Sequence, residues 1–277
     1  MQKLQRVFLT LFVVFSCACG SKDEGAKLHL EAARNFYQQG KFDLAKQEID
    51  SINLLYTKAI EERKASLALL DSVRRGENDY TIEICDSLIT LYTPEVEKYK
   101  KDFVFLQNKE YQETGTFVPK TIASGGAITG TTLRSGVGED GVLYLESVFV
   151  GGQKHNQIKV SAKDGTFVQS LPVTDEGLLY RFSNMGKSYE VIRFQGAHEN
   201  GIAKFIYANK DNPLTIALEG KNKYTYTLSQ TLKSAVSKSY QLSVMMLQLD
   251  SLKTEKEKAE FKNYNLDKKY GAVEEQL

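Results

Sequence analysis

Hydrophobic and polar positions change rhythm along the chain. A short basic start, Met1 to Arg6, precedes an almost unbroken apolar run from Val7 to Phe15. From about residue 26 to 113, apolar positions recur every three to four residues among many Leu, Ala, Glu, Lys and Arg. That is the period of helices with one buried face. Between about 115 and 228 the runs are short and alternating, rich in Thr, Val, Ile, Tyr and Phe, and they hold most of the glycines. Alternation of this kind marks strands with one covered face. From about 229 to 270 the helical period returns. Helices, then strands, then a long helix predict an α+β fold rather than alternating βαβ units.

The helical zone predicts five helices, near 26–39, 42–56, 58–75, 79–92 and 94–112. It also predicts a repeat. With Gly40 set over Gly76, Asp43 falls on Asp79, Asp50-Ser51-Ile52 on Asp86-Ser87-Leu88, and Leu55-Tyr56-Thr57 on Leu91-Tyr92-Thr93. A period of this size belongs to stacked helical hairpins. Small residues such as Ala33 and Ala45 would let paired helices approach closely. Gly40 would end a helix in the left-handed conformation, and Thr93-Pro94 would cap and open another.

The β-zone predicts ten strands, near 116–122, 127–133, 142–150, 157–161, 166–169, 177–183, 188–195, 202–208, 214–219 and 223–228. Turn signals separate most of them, at Asp140-Gly141, Gly151-Gly152, Asp164-Gly165, Asn200-Gly201 and Asp211-Asn212-Pro213. Asn-Gly and Asp-Gly supply the positive φ of tight hairpins. Short strands at this spacing imply an antiparallel sandwich or barrel. The last zone carries Leu232, Val236, Tyr240, Val244 and Leu247, and also Leu242, Met245, Leu249 and Leu252, a stripe wider than a two-helix seam needs. This helix is expected to pack back on the helical zone.

The N-terminus combines a charged start, a short apolar core and small residues, the layout of a secretory signal. The apolar run is shorter than the ~20 residues needed to cross a bilayer as a helix. A cysteine follows it, in Ser16-Cys17-Ala18-Cys19-Gly20-Ser21. This segment resembles the lipobox of bacterial lipoproteins, with Ser16 where the familiar motif has Leu. Ala18 and Ser16 suit the signal-peptidase groove ahead of Cys19; Cys17, the alternative, has bulky Val14 three residues before it. The acidic Asp23-Glu24 beyond it, preceded by Lys22, resembles the surface-export tail of Bacteroidota lipoproteins. The resemblance implies acyl chains on Cys19, a bilayer as partner, and a cell-envelope location at the outer membrane, on its periplasmic or outer face. It divides the chain into a leader (1–18), a tether (19–25), a helical domain (26–113), a β-domain (114–228) and a C-terminal helix with its tail (229–277). In the helical domain, Ala33, Phe36, Tyr37, Gly40, Phe42, Ala45 and Ile49 resemble a tetratricopeptide repeat, and Pro94 takes the closing-proline place of a second copy. That resemblance implies a groove for a protein partner.

Charge and candidate chemistry narrow the classes. Lys and Arg number 36 against 35 Asp and Glu. The near-neutral balance gives no electrostatic motive for nucleic acid. Beyond the leader only Cys85 remains, so no internal disulfide forms; on a helix face it reads as a buried small apolar residue. Gly136-Val137-Gly138-Glu139-Asp140-Gly141 spells G-x-G-x-x-G, but a strand follows it where a dinucleotide site needs a helix. It reads as a glycine-rich hairpin. His29, His155 and His198 are far apart, and the latter two fall in predicted loops as surface residues. No metal and no cofactor is implied, and no catalytic residue is assigned. A glycosidase would need two facing carboxylates; Glu139, Asp175, Glu176, Glu190 and Glu199 are candidates that spacing alone does not pair. Tyr144, Tyr180, Tyr207, Tyr224 and Tyr226 could stack on sugars in a chain without tryptophan. The expectation is therefore a non-enzymatic envelope lipoprotein that acts as a protein-interaction or assembly scaffold. The alternatives are a glycan- or peptidoglycan-binding lipoprotein and a hydrolase with an unrecognised site.

Overall fold

The computed structural model describes residues 22–274, except 111, 124–127, 129, 153 and 175. Cys17, Cys19 and the leader lie outside the described residues. The fold is α+β, with helices at both ends of the chain and two antiparallel sheets between them. It divides into two compact units, residues 1–83 with 258–277, and residues 84–257.

The helical unit begins with a hairpin of α1 (Lys22–Gln38) and α2 (Phe42–Leu55). Gly40 turns the chain at φ +68°. The Gly40 N–H donates to the Tyr37 carbonyl and the Lys41 N–H to the Phe36 carbonyl, both at 2.9 Å. This nested pair satisfies carbonyls that the helix end would otherwise leave open. Ala33 and Ala45 are fully buried at the hairpin contact, with Ile49, Val73 and the rings of Phe36, Tyr37 and Phe42 around them. Ala26, Leu30, Ile52 and Ala59 form a second cluster.

The second hairpin expected from the repeat does not form. The three predicted helices between 58 and 112 are one continuous helix, α3 (Ile60–Lys100), which carries both Gly76 and Pro94 inside it. Gly76 serves close approach instead of a turn: a Cβ there would lie 2.8 Å from the Tyr37 ring and 3.0 Å from the Phe42 ring. Thr93 caps nothing; its hydroxyl donates back to the Ile89 carbonyl at 2.7 Å. The last helix, α5 (Gln230–Glu274), packs back on α3 as expected, with Val96 against Leu242 and Leu249. In the helical unit Asn263 accepts from Asn78 and donates to Asp79, and Asp267 pairs with Arg75.

In the second unit, residues just after α3 that were expected to be helical form β1 (Phe103–Leu106). One sheet has the order β1-β2-β3-β4-β8-β7, with β2 Thr116–Pro119, β3 Thr132–Gly138, β4 Leu143–Val150, β7 Leu179–Asn184 and β8 Lys187–Gln195. The other runs β10-β9-β5-β6, with β5 His155–Ala162, β6 Phe167–Gln169, β9 Leu214–Gly220 and β10 Lys223–Thr227. Both are open sheets around one core. Leu133, Leu145, Ile192 and Phe194 from the first meet Ile158, Val160, Ile216 and Leu218 from the second. Gly136 and Gly138 lie in β3, and the turn into β4 is closed by Gly141 at φ +83° and by Asp140, which accepts from the Val142 N–H. The G-x-G-x-x-G segment is thus a hairpin, as expected.

The predicted strand at 202–208 is a helix, α4 (Ile202–Ala208). Glu199 accepts from the backbone N–H groups of Gly201 and Ala203 and so closes its first turn. Ile202, Ala203 and Ile206 form its buried stripe. Asn200-Gly201, with φ of +50° and +80°, leads into this helix and not into a hairpin.

Candidate functional site

The polar residues that the β-unit gathers most closely are Ser147, His155, Arg181 and Glu190. Strand alternation aims Ser147 of β4 and Glu190 of β8 inward, on the same face as Leu145, Phe149 and Ile192. His155 opens β5 in the opposite sheet. All three are buried. The Ser147 hydroxyl and His155 Nε2 are joined by a 2.9 Å hydrogen bond. The His155 backbone N–H donates to Glu190 Oε1 at 2.7 Å. His155 Nδ1 lies 2.6 Å from the same oxygen, off the line of a hydrogen bond. Arg181, the cross-strand neighbour of Glu190, donates from Nε to Oε2. Burial alone would push the Glu190 carboxyl up; the His155 side chain and backbone N–H, and then Arg181, outweigh it and hold the carboxyl below its ordinary 4.5.

The contact order hydroxyl, imidazole, carboxylate is that of a nucleophilic triad. Here the hydroxyl is fully buried in mid-strand, between the inward side chains of Leu145 and Phe149. Two basins flank the cluster, one of about 490 Å³ reached by Lys154, His155 and Lys221, the other of about 250 Å³ reached by Lys154, Phe182 and Glu190; Ser147 lines neither. The Ser147–His155 hydrogen bond and the one from the His155 N–H to Glu190 tie the two sheets together.

The described carboxylate candidates do not form a facing pair. Glu139 accepts from the Gly115 N–H, Glu199 closes α4, and Glu190 is held by a cation and a histidine. Asp175 lies outside the described residues. Of the histidines, His155 is interior and not the expected surface residue, because β5 begins two residues earlier than the alternation suggested. His29 pairs with Glu48 at 2.5 Å, and the His198 ring nitrogen Nδ1 is buried without a hydrogen bond. Cys85 is buried. Among the described residues no group of His, Cys, Asp and Glu converges to hold a metal ion, and no helix is long and apolar enough to cross a membrane.

The tyrosines divide. Tyr144 is buried, and burial pushes its hydroxyl up, as it does for Tyr226. Tyr207 packs on Tyr240, and Tyr224 meets the Phe149 ring edge-on. Of these five candidates only Tyr180 stands largely exposed, on edge strand β7. It begins a ladder the sequence reading missed. Phe182 lies 5.4 Å from it and stacks on Tyr189 of β8 at 4.8 Å and 7°. Residues two apart on one strand share a face, and the 182–189 register pairs the rings. The pattern Tyr-x-Phe before a turn, with Tyr beyond it, held that signal once the register was known.

A second surface is the opposite edge of that sheet. The four residues of β1 are all apolar. Phe103 is buried, but Val104, Phe105 and Leu106 are 36%, 45% and 46% exposed. Among the described strands β1 pairs only with β2, so one row of its backbone donors and acceptors has no strand partner. No family model, curated protein or solved structure matches the chain.

Proposed function

We propose that this chain is a non-enzymatic lipoprotein of the cell envelope, tethered through Cys19, that binds a protein partner. The observation that carries the reading is the open edge of β1. Folded proteins blunt such edges with lysine, proline or a bulge. An apolar, exposed and unpaired edge is the template for an added strand, in which main-chain hydrogen bonds supply affinity and side-chain pockets supply selectivity. A photo-crosslinking residue at Val104 of the full lipidated chain is expected to capture one reproducible envelope protein, which the same residue at Met185 does not. Leu106→Lys is expected to suppress that adduct. If no adduct specific to Val104 forms in intact envelopes, the reading is wrong.

The ladder of Tyr180, Phe182 and Tyr189 favours a second reading, a glycan or peptidoglycan fragment stacked on the β7–β8 hairpin. Aromatic faces of this kind bury the apolar side of a sugar ring. Tyr180→Ala together with Tyr189→Ala is expected to abolish any retention on glycan or peptidoglycan supports. Equal retention of that variant and the parent chain excludes this reading.

A further inference from the structure

We infer that the turn between α2 and α3 is a membrane-seated foot, with Leu54, Leu55 and Ile60 lying in the bilayer interface beside the acylated N-terminus. The inference rests on the reading that Cys19 carries the acyl chains.

Three observations within the helical unit converge on it. The first is chain distance. Only three steps separate Cys19 from Lys22, where α1 begins, and three residues reach at most about 11 Å. The first turn of α1 is therefore held close to whatever plane the acyl chains enter.

The second is the register of the hairpin. The antiparallel return of α2 brings Tyr56 against Gly25, where a Cβ would lie 2.4 Å from the Tyr56 hydroxyl. Ala26, Ile52 and Ala59 share one buried cluster with Tyr56 packed on it, and His29 is paired with Glu48. The segment that joins α2 to α3 thus lies level with the first turn of α1, at the end nearest Cys19 and not at the Gly40 end.

The third is what that segment exposes. In Leu54-Leu55-Tyr56-Thr57-Lys58-Ala59-Ile60, Tyr56 and Ala59 face the helices, while Leu54, Leu55 and Ile60 are 76%, 69% and 63% exposed. Three large aliphatic side chains within seven residues have no covering element in the unit. The exposed Lys58 and Lys64 flank them, and the Lys64 ammonium lies 3.9 Å from Glu61. Apolar side chains rimmed by charged groups of both signs, Lys58, Glu61 and Lys64, suit the boundary of zwitterionic headgroups and acyl chains, where the aliphatic stems stay dry and the charges reach water. The acyl chains supply the attachment; a foot adds a second point of contact and so selects an orientation of the helical unit at the surface.

The chain contains no tryptophan, so one introduced indole reports a single position. The full lipidated chain carrying Leu55→Trp, and separately Leu54→Trp, is reconstituted in phosphatidylcholine vesicles with brominated acyl chains. Leu44→Trp, also exposed, lies toward the Gly40 end of α2, about 16 Å along the helix, and serves as the control. Emission from both foot positions is expected to shift to shorter wavelength and to be quenched by bromine, with Leu44→Trp unaffected. The mass of the N-terminal peptide is read on the same preparation. Acylated protein whose foot indoles stay unquenched overturns the foot and leaves the anchor standing. An unmodified Cys19 overturns both. Shielding of the foot from aqueous iodide without quenching by bromine assigns it to a second copy or a protein and also overturns the proposal.

Discussion

The helical unit and the β-unit bury their side chains in opposite ways. Four of the buried residues that join the first three helices are alanines, at 26, 33, 45 and 59. Small residues permit close helix approach but remove little apolar area from water. Leu28, Leu54, Leu55, Ile60 and Leu67 consequently stay outside. The β-unit instead encloses large aliphatic and aromatic side chains between two sheets and closes the core with α4 and the start of α5. It also admits buried polar contacts, among them the cluster of Ser147, His155 and Glu190, each member of which is held by another. A close-packed small-residue core leaves apolar surface for partners; a broad core between sheets leaves apolar surface chiefly at strand edges such as β1.

The largest test of that contrast is Phe194→Ala. Phe194 is fully buried at the centre of the β-core. Its removal is expected to cost about 3–5 kcal/mol in denaturant unfolding, as cavities in well-packed cores do. A cost well under 1 kcal/mol would mean that this core is not tightly packed.

Glu190→Gln comes next. It removes charge-assisted hydrogen bonds to a buried carboxylate, and a loss of about 2 kcal/mol is expected near neutral pH. The sign of the pH dependence follows from the depressed carboxyl. In the unfolded chain Glu190 takes up its proton near its ordinary value; in the folded chain it does so only at lower pH. Its contribution is whole above about pH 4.5 and is lost as pH falls through the lower folded value. Glu190→Gln should flatten that part of the acid-unfolding curve. An unchanged slope would show that the cluster does not tie the sheets.

Gly76→Ala tests the helical side of the contrast. In an open helix the change would stabilise by roughly 0.5–1 kcal/mol. Against the Tyr37 and Phe42 rings it is expected to destabilise by about 1 kcal/mol instead. A gain in thermal stability would mean that the rings move aside freely.

Much of this fold is legible in local sequence. Gly40 ends α1, Asp140-Gly141 and Asp164-Gly165 close hairpins, and the apolar stripe after residue 229 becomes α5. These are places where a backbone angle or a period alone decides. The repeat failed because equal residues met unequal neighbours. Gly40 meets open space and turns, whereas Gly76 meets two rings and stays helical. The stretch from Ile202 to Ala208 satisfies strand propensity, yet Glu199 closes a helical turn ahead of it. The candidate sites were the least legible part. Ser147, His155 and Glu190 come together only because two strands of one sheet face the start of a strand in the other. The β7 ladder appears only once Phe182 is registered against Tyr189.

Local sequence sufficed for the order of helix, sheet and helix and for tight turns such as those at Gly40 and Asp140-Gly141. Each depends on hydrophobic period or backbone freedom, which act over a few residues. Which glycine turns and which is packed upon, which histidine is interior, and which apolar residues remain outside follow from contacts made in the folded chain. Those outcomes depend on what lies across the gap from a side chain, and residues distant along the chain supply it.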